Sequence, residues 1–263
     1  MVHEILRAAY DAAVGSDEPG VDLAIAALDH AAAAAFERAE AHGLTGFPLA
    51  WRVLRHELLA DLRHVVQTDP CWRDGLPPVR CEWSFGGGTP GAGDPDIVPA
   101  LVVGGRTVRF RGRVDRVDAS ADGRRVRLVD YKTGAGTTEA ERIDQGRDVQ
   151  LAVYVLAALA AAERGPDTIA AEYRMVRRGA GFKVLPLEPD PDAVRAGLAA
   201  TLAVAVSGIA AGLYPRWHDY RRCRFCDAAD RCGVDRFAFV AKRHDPRLRD
   251  LLSFKQHRAR GMS

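Results

Sequence analysis

Leu128-Val129-Asp130-Tyr131-Lys132-Thr133-Gly134 is a short apolar run that ends in a carboxylate, a lysine and a Thr-Gly pair. The pattern predicts a buried β-strand that leads into a turn. Successive side chains of a strand point to opposite faces, so Asp130 and Lys132 should share one face. A carboxylate beside an ammonium group can hold a divalent cation next to a polarised water, which is the minimum for metal-assisted phosphodiester hydrolysis. Asp-x-Lys is common by chance, so its meaning depends on what flanks it.

A second carboxylate lies on the preceding predicted strand. The Asp122-Gly123 pair is typical of a tight hairpin between residues 107–117 and 125–132. Pairing across that turn brings Asp115 opposite the region of Asp130, and two converging carboxylates would bind Mg²⁺ or Mn²⁺. The alternative is a set of surface ion pairs among the neighbouring charges of one strand, Arg113, Asp115, Arg116 and Asp118.

Two polar side chains interrupt an otherwise apolar helix downstream. Gln150 and Tyr154 are four residues apart, so they share one helical face. Buried polar groups need hydrogen-bonding partners. A metal-bound water, a DNA phosphate or a backbone carbonyl would each satisfy them.

The chain alternates between helical and strand-like periodicity. The predicted helices cover residues 2–14, 21–42, 49–66, 145–164 and 189–213. The predicted strands cover residues 79–85, 100–103, 107–117, 125–132, 169–177 and 182–187. Helices, a mainly antiparallel meander, a crossover helix and further strands predict an α/β fold, with a central mixed sheet flanked by helices.

Length and composition set the broad class of protein. With 263 residues, 48% of them hydrophobic, the chain can bury a full core, and we expect one structural domain. Within it we expect an N-terminal helical layer (1–70), a core (71–213) and a Cys-rich basic segment (214–263); a fragment of a longer protein is an alternative. No stretch of 18 consecutive apolar residues and no charged-then-apolar leader is present, so we expect a soluble cytoplasmic protein.

Three motifs occur in a fixed order along the chain. They are Gly112-Arg113-Val114-Asp115-Arg116-Val117-Asp118, then Val129-Asp130-Tyr131-Lys132-Thr133-Gly134, then Gln150-Leu151-x-x-Tyr154. In order and spacing they resemble the signature of RecB-like nucleases of the PD-(D/E)XK superfamily, and most of all the nuclease domain of AddB-type helicase–nuclease subunits. The resemblance implies a restriction-endonuclease-like sheet and a metal-dependent DNA exonuclease or endonuclease.

The same resemblance implies roles for individual residues. Asp115, Asp130 and the main-chain carbonyl of Tyr131 would bind the metal, while Lys132 would orient the attacking water. Gln150 and Tyr154 would form the auxiliary helix motif of the family. His3 would be a further metal ligand, because Val2-His3-Glu4-Ile5-Leu6 matches the family's Gly-x-x-Val-His-x-x-Leu pattern without its glycine.

A cysteine motif lies near the C-terminus. Cys223, Cys226 and Cys232 form a C-x₂-C-x₅-C pattern, and thiolate ligation is the usual physical reason for such spacing. The resemblance implies a [4Fe-4S] cluster, but its fourth cysteine should precede His3, where the chain has none. The alternatives are a fragment, an incomplete cluster, a structural zinc site, three buried thiols, or Cys71 or Cys81 as fourth ligand.

The C-terminal segment is also basic. Residues 211–263 carry 13 Lys and Arg against 6 Asp and Glu, although the whole chain has a net charge of only +2. A basic segment on a mildly acidic body is compatible with a polyanion partner or with a solvated tail. We expect the arginines around the cysteines to contact DNA phosphates, with Tyr220 and Phe225 as candidates for stacking on bases and core packing as the other role for Phe225. These arginines are Arg221, Arg222, Arg224 and Arg231.

The predicted partner is therefore DNA, as single strands or duplex ends, and no membrane. No Gly-x-x-x-x-Gly-Lys-Ser/Thr motif is present, so we expect any ATP-driven unwinding to come from a helicase subunit or domain. A different class of function stays open, namely a catalytically idle DNA-end-binding or scaffolding module on the same fold.

Overall fold

A computed structural model describes residues 1–16, 19–87, 93–94, 97–144, 148–161, 166–187, 190–216, 223–232, 242 and 244–256. These residues belong to two compact units. The first unit comprises residues 1–101 and 107–198, and the second comprises residues 102–106 and 199–263. All predicted residues of the nuclease motifs lie in the first unit. The predicted boundaries at residues 70 and 213 stay predictions.

Three helices precede the sheet in the chain: α1 (Val2–Asp11), α2 (Val21–Ala41) and α3 (Pro48–Thr68). α1 buries one apolar face, and the alanines of α2 present little side-chain bulk to their neighbours. Proline is well suited to the first turn of α3, since its missing N–H needs no partner there. The three helices share one hydrophobic core with Val129 and Tyr131 of the sheet.

The strands are β1 (Pro78–Phe85), β2 (Gly93–Asp94), β3 (Ala100–Val103), β4 (Arg106–Arg109), β5 (Gly112–Ala119), β6 (Arg125–Lys132), β7 (Thr168–Met175) and β8 (Val184–Leu187). Six of them form a mixed sheet in the order β2-β1-β5-β6-β7-β8, and β3 pairs with β4. The strands β6 and β7 are parallel, whereas β1/β5, β5/β6 and β7/β8 are antiparallel. The predicted α/β class with a central mixed sheet is confirmed.

The hairpin between β5 and β6 sets the geometry of the candidate site. Its turn has Gly123 at a φ of 70°, a left-handed conformation that glycine adopts readily. Arg116 pairs with Val129 in the antiparallel ladder. The same register, extended by one residue, places Asp115 opposite Asp130.

A crossover helix, α5 (Val149–Ala161), connects the parallel strands β6 and β7. It is buried over most of its length, as its apolar sequence predicts. The ends of the predicted helix, 145–147 and 162–164, lie outside the described residues. The short helix α4 (Thr137–Asp144) was not predicted, and the predicted strand 107–117 is interrupted at residues 110–111.

A buried ionic cluster occupies the face of the hairpin that meets the N-terminal helices. Arg116, which is fully buried, forms ion pairs with Asp69 and Asp118 at 2.7 Å each. Arg174 adds a second cation to Asp69 at 2.5 Å. Burial by itself raises the pKa of Asp69, but the charges of Arg116 and Arg174 outweigh burial and hold that pKa far below its usual range. The pair of Arg116 with Asp118 is therefore a core interaction and no surface ion pair.

The second unit contains the latter part of α6 (Pro191–Ala210), together with α7 (Ala229–Cys232) and α8 (Arg249–Gln256). In α6 only Val194 and Leu198 are recorded as buried. Among the described residues, α6 alone has the length and apolar composition of a membrane-crossing helix, and a single helix of this kind is weak evidence for a span. Arg216 donates to the carbonyl of Cys232 at 2.6 Å, which ties α7 to the end of α6.

Candidate active site

Asp130 and Lys132 share one face of β6, as predicted, and meet α5 there. Lys132 Nζ lies 2.6 Å from Asp130 Oδ2 and donates to Gln150 Oε1 at 2.9 Å. Gln150 Nε2 donates in turn to Asp130 Oδ1 at 2.7 Å. The hydroxyl of Tyr154 lies 3.0 Å from the same carboxylate oxygen and 2.7 Å from the carbonyl of Arg113. The strand pair and the helix motif therefore converge on one carboxylate.

Asp115 reaches the same end of β6 from the neighbouring strand. Its Oδ2 accepts a hydrogen bond from the backbone N–H of Tyr131 at 2.8 Å. His3 Nε2, from the first turn of α1, lies 3.1 Å from the carbonyl of Tyr131 and 3.4 Å from Asp115 Oδ2. The peptide groups on both sides of Tyr131 are therefore held between a carboxylate and an imidazole.

The electrostatics of Asp115 differ from those of an ordinary surface carboxyl. Burial, followed by the nearby negative charge of Asp130, raises its pKa to about 6. The hydrogen bond from the backbone of Tyr131 and the proximity of His3 act in the opposite direction but do not compensate. Two carboxylates that repel one another in a partly buried place would gain stability from a cation between them.

These donors match the chemistry of a hard divalent cation. Mg²⁺ and Mn²⁺ favour carboxylate and carbonyl oxygens, and imidazole also binds Mn²⁺. Asp130 Oδ2 is buried, and its polar neighbour is the ammonium group of Lys132 at 2.6 Å. Within the described part of the chain, however, no three His, Cys, Asp or Glu side chains are gathered as in an assembled metal centre. The residues fit the metal in kind, and their roles as ligands stay a prediction.

Two residues outside the three motifs, Tyr173 and Asp148, contact side chains of the site. The hydroxyl of Tyr173, on β7, lies 2.9 Å from Asp148 Oδ2 and 3.2 Å from Gln150 Oε1. Lys132 Nζ lies 4.8 Å from the centre of the Tyr173 ring, within range of a cation–π contact. Asp148 also accepts a hydrogen bond from the backbone of Leu151 and so caps α5. Because Tyr173 pairs with Asp130 across the parallel strands, only the sheet topology reveals this support.

Arg113, on β5 beside the site, has an acidic partner that lies far away in sequence. Its Nε lies 2.7 Å from Glu82 Oε2 on β1. Glu82 has a φ of 51°, an unusual conformation for a residue other than glycine. The alternative of an ion pair between Arg113 and Asp115 does not occur.

The Cys-rich segment belongs to the second unit. Cys223, Cys226 and Cys232 lie on a turn and on α7, but no group of three metal-binding side chains forms there among the described residues. The structure therefore gives no support to a [4Fe-4S] cluster, and we derive no step from one. Phe225 is 82% exposed, so core packing was the wrong expectation for it.

The predicted DNA-contacting arginines are only partly visible. Arg221 and Arg222 lie outside the described residues, as does Tyr220. Arg224 and Arg231 are exposed, and the guanidinium of Arg224 lies 5.7 Å from the centre of the Phe225 ring. Their contact with DNA stays a prediction.

Comparison with known proteins is consistent with this geometry. A family model described as the PD-(D/E)XK nuclease superfamily matches residues 1–233. Over 120 residues the chain is 29% identical to the B-type subunit of the ATP-dependent helicase/deoxyribonuclease of Desulfitobacterium hafniense, a match that covers 43% of this chain and 9% of that protein. The corresponding protein of Symbiobacterium thermophilum is 35% identical over 115 residues, again 43% and 9%. That of Ruminiclostridium cellulolyticum is 33% identical over 90 residues, or 34% and 8%. The matches span less than a tenth of these relatives.

Proposed function

The chain belongs to the PD-(D/E)XK nuclease superfamily, and we propose that it is a metal-dependent deoxyribonuclease that hydrolyses phosphodiester bonds in DNA end processing, recombination or repair. One observation carries the proposal. Asp115 and Asp130, from adjacent strands, are close enough for the charge of Asp130 to raise the pKa of Asp115, and Lys132 forms an ion pair with Asp130.

Four groups would hold the metal: the carboxylates of Asp115 and Asp130, the carbonyl of Tyr131 and the imidazole of His3. When bound, Mg²⁺ or Mn²⁺ would supply Lewis-acid polarisation of the phosphate and a more acidic water. The raised pKa of Asp115 and the burial of the Asp130 carboxylate beside it are the features that suit these groups to a cation.

The side chains of α5 prepare Lys132 for its role. The amide of Gln150 accepts from Lys132 and donates to Asp130, so it fixes the separation of ammonium and carboxylate. From this position the ammonium group can donate a hydrogen bond to the attacking water and stabilise the charge that develops on the phosphate oxygens. The family resemblance implies products that carry 5′-phosphates.

We infer the substrate and the partners from the relatives. Since the relatives are named as subunits of an ATP-dependent helicase/deoxyribonuclease, we extend to this chain a DNA substrate, as single strands or duplex ends, and a helicase partner. We place the protein in the cytoplasm, where such a substrate occurs. We leave the iron–sulfur cluster out of the proposed function, because the described cysteines are not gathered for it.

A second candidate function rests on how the metal-binding side chains are arranged. Within the described residues no three such side chains surround one point, which favours a catalytically idle module that binds DNA ends. In this alternative the protein binds DNA and does not cleave it in Mg²⁺ or Mn²⁺.

A single set of variants separates the two candidates. The wild type should degrade end-labelled single-stranded or duplex DNA in Mg²⁺ or Mn²⁺ and stop in EDTA. Asp130→Ala should abolish cleavage and retain DNA binding, because it removes a metal-binding carboxylate without touching a basic side chain. Asp122→Ala, in the exposed β5–β6 turn, is the matched control and should cleave normally. Undiminished cleavage by Asp130→Ala would defeat the nuclease assignment, and binding without cleavage by the wild type would establish the idle module.

A further inference from the structure

A row of arginines leads along the chain to Asp115. From residue 108 to residue 114 the exposure of side chains alternates without a break. The exposed members are Arg109, Arg111 and Arg113, and the members turned inward are Val108, Phe110, Gly112 and Val114. All three arginines therefore face solvent, Arg109 at the end of β4, Arg113 on β5, and Arg111 in the two-residue break between these strands. Asp115 follows Arg113 by two residues on β5, so the two side chains share one face of that strand.

The path of this row is fixed by its backbone. The N–H of Phe110 donates to the carbonyl of Pro99 at 2.9 Å, which holds the irregular step between β4 and β5. Gly86 packs against the same step so closely that a Cβ at Gly86 would lie 2.2 Å from the carbonyl oxygen of Phe110 and 2.6 Å from the Cα of Arg111. The arginines therefore project from a braced segment rather than from a free loop.

Arg113 is the best oriented of the three. Its carbonyl lies 2.7 Å from the hydroxyl of Tyr154, and its Nε lies 2.7 Å from Glu82, whose side chain is only 12% exposed. The arginine itself is 61% exposed. One edge of the guanidinium is thus held by the protein, and the terminal nitrogens have the planar, two-pronged geometry that suits a phosphate.

Arg109 and Arg111 have no carboxylate partner among the residues that the structure describes. Exposed arginines without a nearby acidic group are available to a mobile anion. Two residues of chain span at most about 7 Å, which is close to the interval between successive phosphates of one extended DNA strand.

We propose that Arg109, Arg111 and Arg113 form a track for the phosphates of a single DNA strand and guide that strand to Asp115 and Asp130. The inference rests on the proposed function for the site at its end. The track contacts the backbone and reads no bases, so it is independent of sequence. These three arginines belong to the first unit, whereas the arginines that the sequence alone suggested belong to the second.

The salt dependence of DNA binding tests the track. The probe is a short fluorescent oligothymidine, titrated with full-length protein in EDTA so that cleavage does not intervene. For single strands, each phosphate contact contributes about 0.7 to the slope of log K against log salt. The triple variant Arg109→Gln/Arg111→Gln/Arg113→Gln should lower that slope by about 2 and weaken binding at least about tenfold near 0.1 M salt.

The matched control removes three exposed arginines elsewhere in the first unit: Arg55→Gln/Arg63→Gln/Arg124→Gln. The change of net charge is the same, so a track predicts a much smaller loss of slope in the control. Equal losses in both triple variants, or an unchanged slope in the track variant, would overturn the inference. If thermal denaturation shows that the track variant is unfolded, Arg111→Gln alone decides, with an expected loss of slope of about 0.7.

The experiments can refute the track and the nuclease assignment separately. Binding through the track without cleavage in Mg²⁺ or Mn²⁺ supports the track and defeats the nuclease. Cleavage by a track variant that binds DNA as the wild type does defeats the track alone. A change of slope nearer 0.9 for each arginine with a duplex probe, and none with oligothymidine, would contradict a single-strand track.

Discussion

The two faces of the β5–β6 hairpin use the same kinds of charged side chain for opposite purposes. On the face that meets the N-terminal helices, Arg116 and Asp118 are fully buried and paired with each other. On the other face Asp115 lies near Asp130, with a single lysine beside the pair. Asp115, Arg116 and Asp118 lie within four consecutive positions of β5, yet they point to opposite faces. The difference between a structural and a chemical charge is therefore decided by which way a side chain points.

The comparison shows how partners set the character of a carboxylate. Asp69, between two guanidinium groups, has a pKa held well below its usual range despite its burial. Asp115, near a second carboxylate, has a pKa raised to about 6, first by burial and then by Asp130. A carboxylate with matched cations stabilises the fold, whereas one left in mutual repulsion is available for a ligand.

The largest effect should come from neutralising Asp115, which removes both a proposed metal-binding carboxylate and its repulsion with Asp130. We expect Asp115→Asn to lower cleavage by about 10³-fold or more, near 4 kcal/mol of transition-state stabilisation. Stability in EDTA should rise above about pH 6, by about 1 kcal/mol, since a carboxyl with a raised folded pKa destabilises the fold when it is charged. That gain should fade as the pH falls from about 6 towards the ordinary value near 4, where the carboxyl is neutral in both states.

Activity assays and urea denaturation across this pH range check both parts. Asp122→Asn, in the exposed turn, is the control. A loss of stability in Asp115→Asn at neutral pH would remove the contrast between the two faces.

The next effect should appear on the opposite face, in stability. Arg116→Met leaves Asp69 and Asp118 buried with one cation fewer, and we expect it to cost about 3 kcal/mol of unfolding free energy. Cleavage by the folded fraction should fall far less than in Asp115→Asn, since Arg116 contacts the ring of Tyr131 and none of the carboxylates of the site. Arg124→Met breaks an exposed pair with Asp167 and should change the stability little, because solvent screens that pair. Equal losses in the two variants, measured by urea denaturation, would contradict a structural role for the buried cluster.

The smallest effect should come from the support beneath Lys132. Tyr173→Phe keeps the ring near the ammonium group and removes the hydroxyl that contacts Asp148 and Gln150. We expect kcat to fall by about tenfold, near 1.4 kcal/mol, while KM for DNA stays unchanged, because the hydroxyl positions the lysine and does not touch substrate. Tyr214→Phe, at an exposed tyrosine, should leave both constants unchanged. An unaltered kcat in Tyr173→Phe would show that the hydroxyl has no positioning role.

Much of the fold followed from local patterns. Period-two alternation and the Asp122-Gly123 pair predicted the hairpin, and its register then placed Asp115 opposite Asp130. The apolar helix α5 was predicted because its composition allows no exposed face. These features depend on neighbours within a few residues, which a sequence displays directly.

The remainder depends on contacts between distant residues. Tyr173 supports Asp148 across 25 positions, and Glu82 orients Arg113 across more than one intervening loop. Asp69 lies just beyond the predicted helix 49–66 and belongs to no motif, although it is the central anion of the buried cluster. No periodicity marks such residues, since a partner far along the chain leaves no trace in local spacing.

Tyr131 joins the two faces within one residue. Its ring is stacked against Tyr10, and its hydroxyl accepts a hydrogen bond from Arg116, while its backbone groups contact Asp115 and His3. The orientation of the Tyr131 backbone groups therefore depends on how the interior is packed. A repacking of the helical layer that rotates this ring would tilt the adjoining peptide planes. Anyone who redesigns this protein for tolerance to heat should keep that tyrosine and the helical layer behind it, because both set the geometry of the candidate site.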